Sequence, residues 1–69
     1  MAGRNLDKID ELNEAGLTML HEFAISGNPT LVKLWLELGA DKNALSKSGK
    51  TAKEYARELG WSEIEKVLK

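Results

Sequence analysis

Apolar residues recur every three or four positions in four short segments, and each segment is predicted to be a helix. The first segment begins after Thr18, a natural N-cap residue, and stops at Gly27. The second begins at Asn28, which precedes a proline at the first helical position, and it stops at Gly39. The apolar positions of these two helices are Met19, Leu20, Phe23, Ala24, Leu31, Leu34, Trp35 and Leu38.

The second pair of helices is marked by two capping-box patterns. Thr51 is followed three positions later by Glu54, and Ser62 is followed in the same way by Glu65. In such a pair each side chain accepts a hydrogen bond from the other residue's backbone N–H, which starts a helix. Breaks of one to three residues separate the members of each pair, so the two helices of a pair should be antiparallel.

A repeat organises the chain. The sequence Gly16-Leu17-Thr18 has a counterpart 33 positions later, Gly49-Lys50-Thr51, and a period of this length is typical of stacked repeat proteins. The same offset aligns residues 8–16 with 41–49. Leu6, Ile9 and Leu12 alone would favour an amphipathic helix, but the offset favours an extended finger or hairpin at residues 6–16.

These residues resemble the ankyrin repeat, whose pattern is Gly-x-Thr-Pro-Leu-His-x-Ala-Ala, then Gly-His, Val-x-x-Leu-Leu and Gly-Ala-Asp-x-Asn-Ala. The matching residues are Gly16, Thr18, Leu20, His21, Ala24, Gly27, Val32, Leu34, Leu36 and 39–44 in the first copy, and Gly49, Thr51, Ala56, Gly60, Ile64, Val67 and Leu68 in the second. The resemblance implies an all-α domain over 1–69, with about two helix-turn-helix repeats and extended, hairpin-like fingers. Its parts are the finger 6–16, repeat one at 16–45 and a cap-like repeat two at 46–69.

The departures from the family pattern concern the ends of the stack. Met19 and Phe23 replace the family's Pro and Ala, while Lys53 and Glu54 replace its Leu and His. Charge at the last two positions fits a terminal repeat whose outer face meets water. Two repeats are fewer than the roughly three normally needed for stability. We therefore expect either a truncated or designed miniature or a chain that completes its core by dimerising.

Composition excludes several classes of function. Among 69 residues, 10 are basic and 11 acidic, and this near-balance gives no electrostatic reason to expect nucleic acid or an anionic membrane as a partner. The absence of cysteine excludes disulfides and thiolate metal sites. No apolar run approaches the roughly 18–20 residues of a membrane span, and the first residues lack the apolar core of a signal peptide. The default expectation is a cytoplasmic or recombinant soluble protein.

No catalytic, cofactor-binding or metal-binding residue is predicted, so we do not expect an enzyme. His21 is the only histidine, and it lacks a second histidine or an acidic cluster at ligand spacing. The resemblance implies instead that His21 ties Thr18 to neighbouring backbone. Trp35 is expected in the core. Trp61 is expected either to cover the end of the third helix or to be partly exposed.

The resemblance also implies a protein-binding surface on the concave side, formed by the finger tips and the first helix of each repeat. The predicted contact residues are Glu14, Leu17, Ile25, Ser26, Leu38, Leu45, Lys47 and Lys50. Their apolar members, together with Leu12, would either form an exposed interaction patch or be tucked into the core. The expected function is a non-catalytic module that binds a protein partner or a second copy of itself. The alternative is a designed or excised scaffold with no biological ligand.

Overall fold

The computed structural model describes residues 9–69, which form four helices joined by turns. The helices are α1 (Met19–Ile25), α2 (Pro29–Glu37), α3 (Ala52–Leu59) and α4 (Ser62–Val67). They coincide with the four predicted segments, and no strand occurs within 9–69, so the all-α prediction is confirmed. The part of the predicted finger before residue 9 lies outside the described residues.

Three of the four helices begin with the predicted caps. Thr18 Oγ1 accepts a hydrogen bond from the backbone N–H of His21 (3.2 Å), and Asn28 Oδ1 accepts one from Leu31 (3.1 Å). At α3 the capping box is complete. Thr51 Oγ1 accepts from the N–H of Glu54 (3.2 Å), and Glu54 Oε1 accepts from the N–H of Thr51 (2.8 Å). These side chains satisfy N–H groups that a helix start leaves without partners.

The predicted capping box at Ser62 is wrong. The N-cap of α4 is Trp61, which makes no side-chain capping bond, and Ser62 is already the first helical residue. The reason lies at the end of α3, where the backbone N–H of Trp61 donates to the carbonyl of Ala56 (2.8 Å) and places Trp61 at the junction. Glu65 is free to pair with Arg57, whose Nε lies 3.1 Å from its carboxylate.

The junction between α3 and α4 contacts the junction between α1 and α2 through Trp61. The Trp61 ring lies on Gly27, where an added Cβ would be only 2.8 Å from Trp61 Cε2. The indole Nε1 of the same residue donates to the carbonyl of Ile25 (3.1 Å). Gly27 also has a positive φ of 75°, which favours glycine. Two requirements thus meet at Gly27, one from its own backbone and one from the neighbouring repeat.

Residues 9–18, the described part of the segment before α1, form turns rather than a helix. The N–H of Asn13 donates to the carbonyl of Leu17, and the N–H of Ser46 donates to that of Lys50, both at 2.8 Å. These bonds close two turns, 13–17 and 46–50, which we call finger turns one and two. They are 33 positions apart in the sequence. The N–H of Lys47 donates to the carbonyl of Gly16 (2.8 Å) and joins the two turns.

The core lies between the four helices. α1 packs on α2 and α3, and α4 packs on α2 and α3. Trp35 is half-buried against this core, in an edge-to-face contact with Phe23 whose ring centroids are 5.1 Å apart. The volume that Phe23 adds is therefore taken up by Trp35. The buried apolar residues are Leu20, Ala24, Val32, Ala40, Ala52, Ala56, Ile64 and Leu68.

Candidate protein-interaction surface

His21 is a structural link between the two repeats. Its Nδ1 accepts a hydrogen bond from the N–H of Thr18 (3.0 Å) and lies 2.8 Å from the Thr18 hydroxyl. Because Nδ1 accepts a backbone N–H, the ring proton belongs on Nε2, which donates to the carbonyl of Lys50 in finger turn two (2.9 Å). The side chain is buried, and both ring nitrogens are engaged. The predicted structural role of His21 is confirmed.

Finger turns one and two bring together four of the predicted contact residues, Glu14, Leu17, Lys47 and Lys50. An added Cβ at Gly16 would lie 2.6 Å from the Cβ of Lys47, so only a glycine lets the turns approach this closely. The side chains of Glu14 and Lys47 are exposed, and those of Leu17 and Lys50 are half-buried. The surface therefore has exposed polar side chains at the tips of the two finger turns and half-buried side chains where the turns lead into α1 and α3.

Ile25 and Ser26 lie at the C-terminal end of α1. Ile25 is half-buried, and its carbonyl holds the indole of Trp61. Ser26 is the exposed C-cap, and its hydroxyl donates to the carbonyl of Phe23 (3.0 Å). We call the first-helix residue Ile25 and the finger residue Leu17 the apolar pair, since both present half-buried aliphatic side chains in repeat one.

The positions equivalent to the apolar pair carry opposite charges in repeat two. Lys50 and Glu58 lie 33 positions after Leu17 and Ile25, and Lys50 Nζ is 2.7 Å from the Glu58 carboxylate. Because this hydrogen bond favours the charged ammonium, it raises the pKa of Lys50 above its ordinary value. Because the pKa of Lys50 is raised in the folded chain, the stability that this contact contributes is lost as the pH rises through that pKa.

The apolar residues proposed as a patch do not share one environment. Leu12, Leu38 and Leu45 are between 41% and 56% exposed, whereas Leu17 and Ile25 are half-buried. Neither of the two expected outcomes, a fully exposed patch or complete burial, describes the whole set. Leu38 is the C-cap of α2, so it belongs to a second helix rather than to the surface of fingers and first helices. Leu45 lies just before finger turn two.

Leu59 is an exposed apolar residue that the sequence interpretation missed. It is 51% exposed at the end of α3, and it occupies the position equivalent to Ser26, 33 residues earlier. The repeat offset was the available signal, since it places Leu59 on the same row as a predicted contact residue. Trp61 is 41% exposed, which agrees with the second of its two expected environments, partial exposure.

Within residues 9–69, no group of three or more His, Cys, Asp or Glu side chains is placed to hold a metal ion. Over the same residues, no helix has the length and apolar character needed to cross a membrane.

No protein-family model matches the chain. Over 65 residues, which are 94% of this chain and 26% of the relative, it is 37% identical to a protein named as an ankyrin repeat protein in Neisseria meningitidis serogroup B. Over 60 residues, 87% of this chain and 39% of the relative, it is 35% identical to protein phosphatase 1 regulatory subunit 27 of Mus musculus. The chain therefore spans well under half the length of these two relatives.

Proposed function

We propose that this chain, which belongs to the ankyrin-repeat proteins, is a non-catalytic module that binds a protein partner or a second copy of itself. The contact surface would be the concave side formed by the two finger turns and the first helices α1 and α3. Neither relative's name denotes a catalytic activity, and the mouse relative is named as a regulatory subunit. Both names support a protein that acts by association.

The observation that carries the proposal is the apolar pair. Leu17 and Ile25 are partly exposed at the positions where repeat two has the ion pair Lys50–Glu58. The fold therefore accepts a charged pair at this position, and repeat one uses two apolar side chains instead. Partly exposed aliphatic groups beside charged ones are the usual anatomy of an interface, with a desolvated centre and a polar rim.

The rim follows from the finger turns. Glu14 and Lys47 are exposed, and the hydrogen bond between the Lys47 N–H and the Gly16 carbonyl fixes the two tips side by side. Lys50, held by Glu58, lies at the base between them and α3. Such rim charges mainly set association rate and orientation, while buried apolar anchors set the dissociation rate. We assign the anchoring role to Leu17 and Ile25.

The test exchanges the pairs between repeats. The variant Leu17→Lys with Ile25→Glu installs in repeat one the ion pair that repeat two already tolerates, so the fold should persist, as circular dichroism can check. Two probes are used: a second copy, by sedimentation equilibrium over a dilution series, and protein phosphatase 1, by calorimetric titration. For whichever probe binds the wild-type chain, we expect the exchanged variant to bind at least about tenfold more weakly, which corresponds to about 1.4 kcal/mol of binding free energy.

The reciprocal variant, Lys50→Leu with Glu58→Ile, is the matched control, because it enlarges the apolar surface and should strengthen the same association. An exchanged, folded variant that associates as tightly as the wild-type chain would refute the apolar pair as the anchor. If the wild-type chain stays monomeric at every concentration and does not bind protein phosphatase 1, the result favours the alternative, a structural scaffold with no biological ligand.

A further inference from the structure

A second candidate surface lies between α3 and α4. It is an open cleft of about 400 Å³, lined by Lys53, Arg57, Ser62, Glu65, Lys66 and Lys69. It shares no residue with the finger turns or with the apolar pair. Any function of this cleft would therefore be separate from the surface proposed above.

The repeat offset shows what kind of face this is. Lys53, Arg57 and Glu65 are the equivalents, 33 positions on, of Leu20, Ala24 and Val32. Those three apolar residues are at most 2% exposed, and they belong to the helices α1 and α2 that pack on α3 and α4. The cleft is thus built on a stacking face, shaped to receive helices, whose core positions carry charge instead.

The charge of the cleft is one-sided. It contains four cationic side chains and one carboxylate, in a chain whose formal net charge is −1. The carboxylate of Glu65 pairs with Arg57 at 3.1 Å. Within residues 9–69, no carboxylate lies within ion-pair distance of Lys53, Lys66 or Lys69. A face that only needs to meet water requires polar groups of either sign, whereas one sign concentrated in a cleft attracts counter-charge.

We propose that this cleft binds an acidic helical segment of a partner protein. The carboxylates of the segment would pair with Lys53, Lys66 and Lys69, and its backbone would lie where a further helix pair would stack. A helix fits because the equivalent face of repeat one receives α3 and α4. Nucleic acid is the other polyanion that a basic cleft attracts, so a DNA duplex is one of the probes in the test.

The experiment titrates the full chain against a labelled synthetic peptide of repeated Glu-Ala-Ala-Glu units and follows fluorescence anisotropy. The same peptide with glutamine in place of glutamate and a short DNA duplex serve as competing probes. We expect the acidic peptide alone to bind, with an affinity that falls as salt is raised. Lys53→Glu should weaken binding at least about tenfold, because it places like charges in contact.

The matched control is Lys33→Glu, which makes the same charge change on α2 at an exposed position outside the cleft. It should weaken binding much less than Lys53→Glu does, since Lys33 lines a neighbouring depression with Lys66 but does not line the cleft itself. Equal losses in Lys33→Glu and Lys53→Glu would overturn the proposal, because they would reveal attraction to net charge alone. So would absence of acidic-peptide binding, or preference for the DNA duplex. The exchanged variant of the apolar pair should bind this peptide normally, which separates this test from the previous one.

Discussion

Repeats one and two start their first helices with the same residue and then differ at the third helical position. After Thr18 comes His21, and after Thr51 comes Glu54, and each side chain accepts the hydrogen bond of its cap's backbone N–H. His21 has a second nitrogen that reaches the carbonyl of Lys50 in the next finger turn. Glu54 is exposed and serves only its own helix. The two residues cap equally, and only the histidine also joins repeats.

The same contrast continues along the stacking face. Leu20 is buried, whereas its equivalent Lys53 is half-buried and lines an open cleft. Val32 is likewise buried, and its equivalent Glu65 pairs with Arg57. One backbone plan therefore supports either an apolar or a charged face. What differs is whether a neighbouring helix pair removes that face from water.

The largest loss of stability should come from a substitution on the buried stacking face of repeat one. Leu20→Ala should lower the free energy of unfolding by about 2–5 kcal/mol, because it leaves a cavity in a fully packed position. A domain of this size has only about 3–10 kcal/mol in total, so the variant should be largely unfolded at moderate temperature. Lys53→Ala at the equivalent position should change the stability by less than about 0.5 kcal/mol. Urea denaturation of both variants, followed by circular dichroism, measures the difference, and equal losses would contradict the contrast.

The next effect concerns the two equivalent glycines that end α1 and α3. Gly27 and Gly60 have φ values of 75° and 80°, so alanine at either should cost about 1–2 kcal/mol in backbone strain. Gly27→Ala should cost about 1–3 kcal/mol more, because its new methyl group would collide with Trp61, whereas Gly60 has open space. Thermal unfolding of both variants tests this. The excess should vanish in a Trp61→Ala background, and its persistence there would show that Trp61 is not the cause.

His21→Ala should cost about 2 kcal/mol, since it removes the cap interaction and leaves the Lys50 carbonyl without its donor. Glu54→Ala should cost about 0.5–1 kcal/mol, because only a solvent-exposed cap bond is lost. Chemical denaturation gives the two values. Amide hydrogen exchange provides an independent reading, with faster exchange at Thr18 expected in the histidine variant. If Glu54→Ala lowered the free energy of unfolding as much as His21→Ala does, His21 would act only as a helix cap and not also as a link between the repeats.

The smallest effect should be at the ion pair of repeat two. Glu58→Gln should lower stability only slightly, and the loss should shrink as salt is added, because the pair is exposed. Ile25→Ala, at the equivalent position, should cost about 1 kcal/mol with little dependence on salt, because it removes half-buried apolar surface. Denaturation at low and high salt distinguishes them. A salt-dependent loss in the isoleucine variant would be inconsistent with this assignment.

Local signals in the sequence predicted most of the fold. Thr18, Asn28 and Thr51 have side chains that satisfy nearby N–H groups within one helical turn, so their caps depend on few distant contacts. The offset of 33 residues predicted the finger turns although Ile9 and Leu12 favoured a helix by spacing. Ser62 failed as a cap because the Schellman-type end of α3 places Trp61 at the start of α4. The four-residue capping-box motif does not include the end of α3, so the motif alone could not show this competition.

The candidate surface was less predictable than the fold. Its residues were identified from family positions, which state where a side chain belongs in a repeat but not how far it is covered. Leu17 and Leu45 illustrate this, since one is half-buried and the other is 56% exposed. The basic cleft could not be foreseen from single residues, because its four cations come from positions spread over α3, α4 and the following residues. The eight predicted contact residues and the repeat boundaries stay predictions.

The sequence by itself determined the helices, their glycine ends and the period of the stack, because each depends on local backbone preference or on spacing along the chain. It did not determine the core, since Met19, Leu34 and Leu38 lie on the apolar stripes and are at least 40% exposed. The tertiary structure alone decided which face of each repeat is covered. It placed Trp61 on Gly27, connected His21 to the second finger turn and gathered Lys53, Lys66 and Lys69 around one cleft. The physical reason is that burial and charge focusing depend on contacts between residues far apart in the chain.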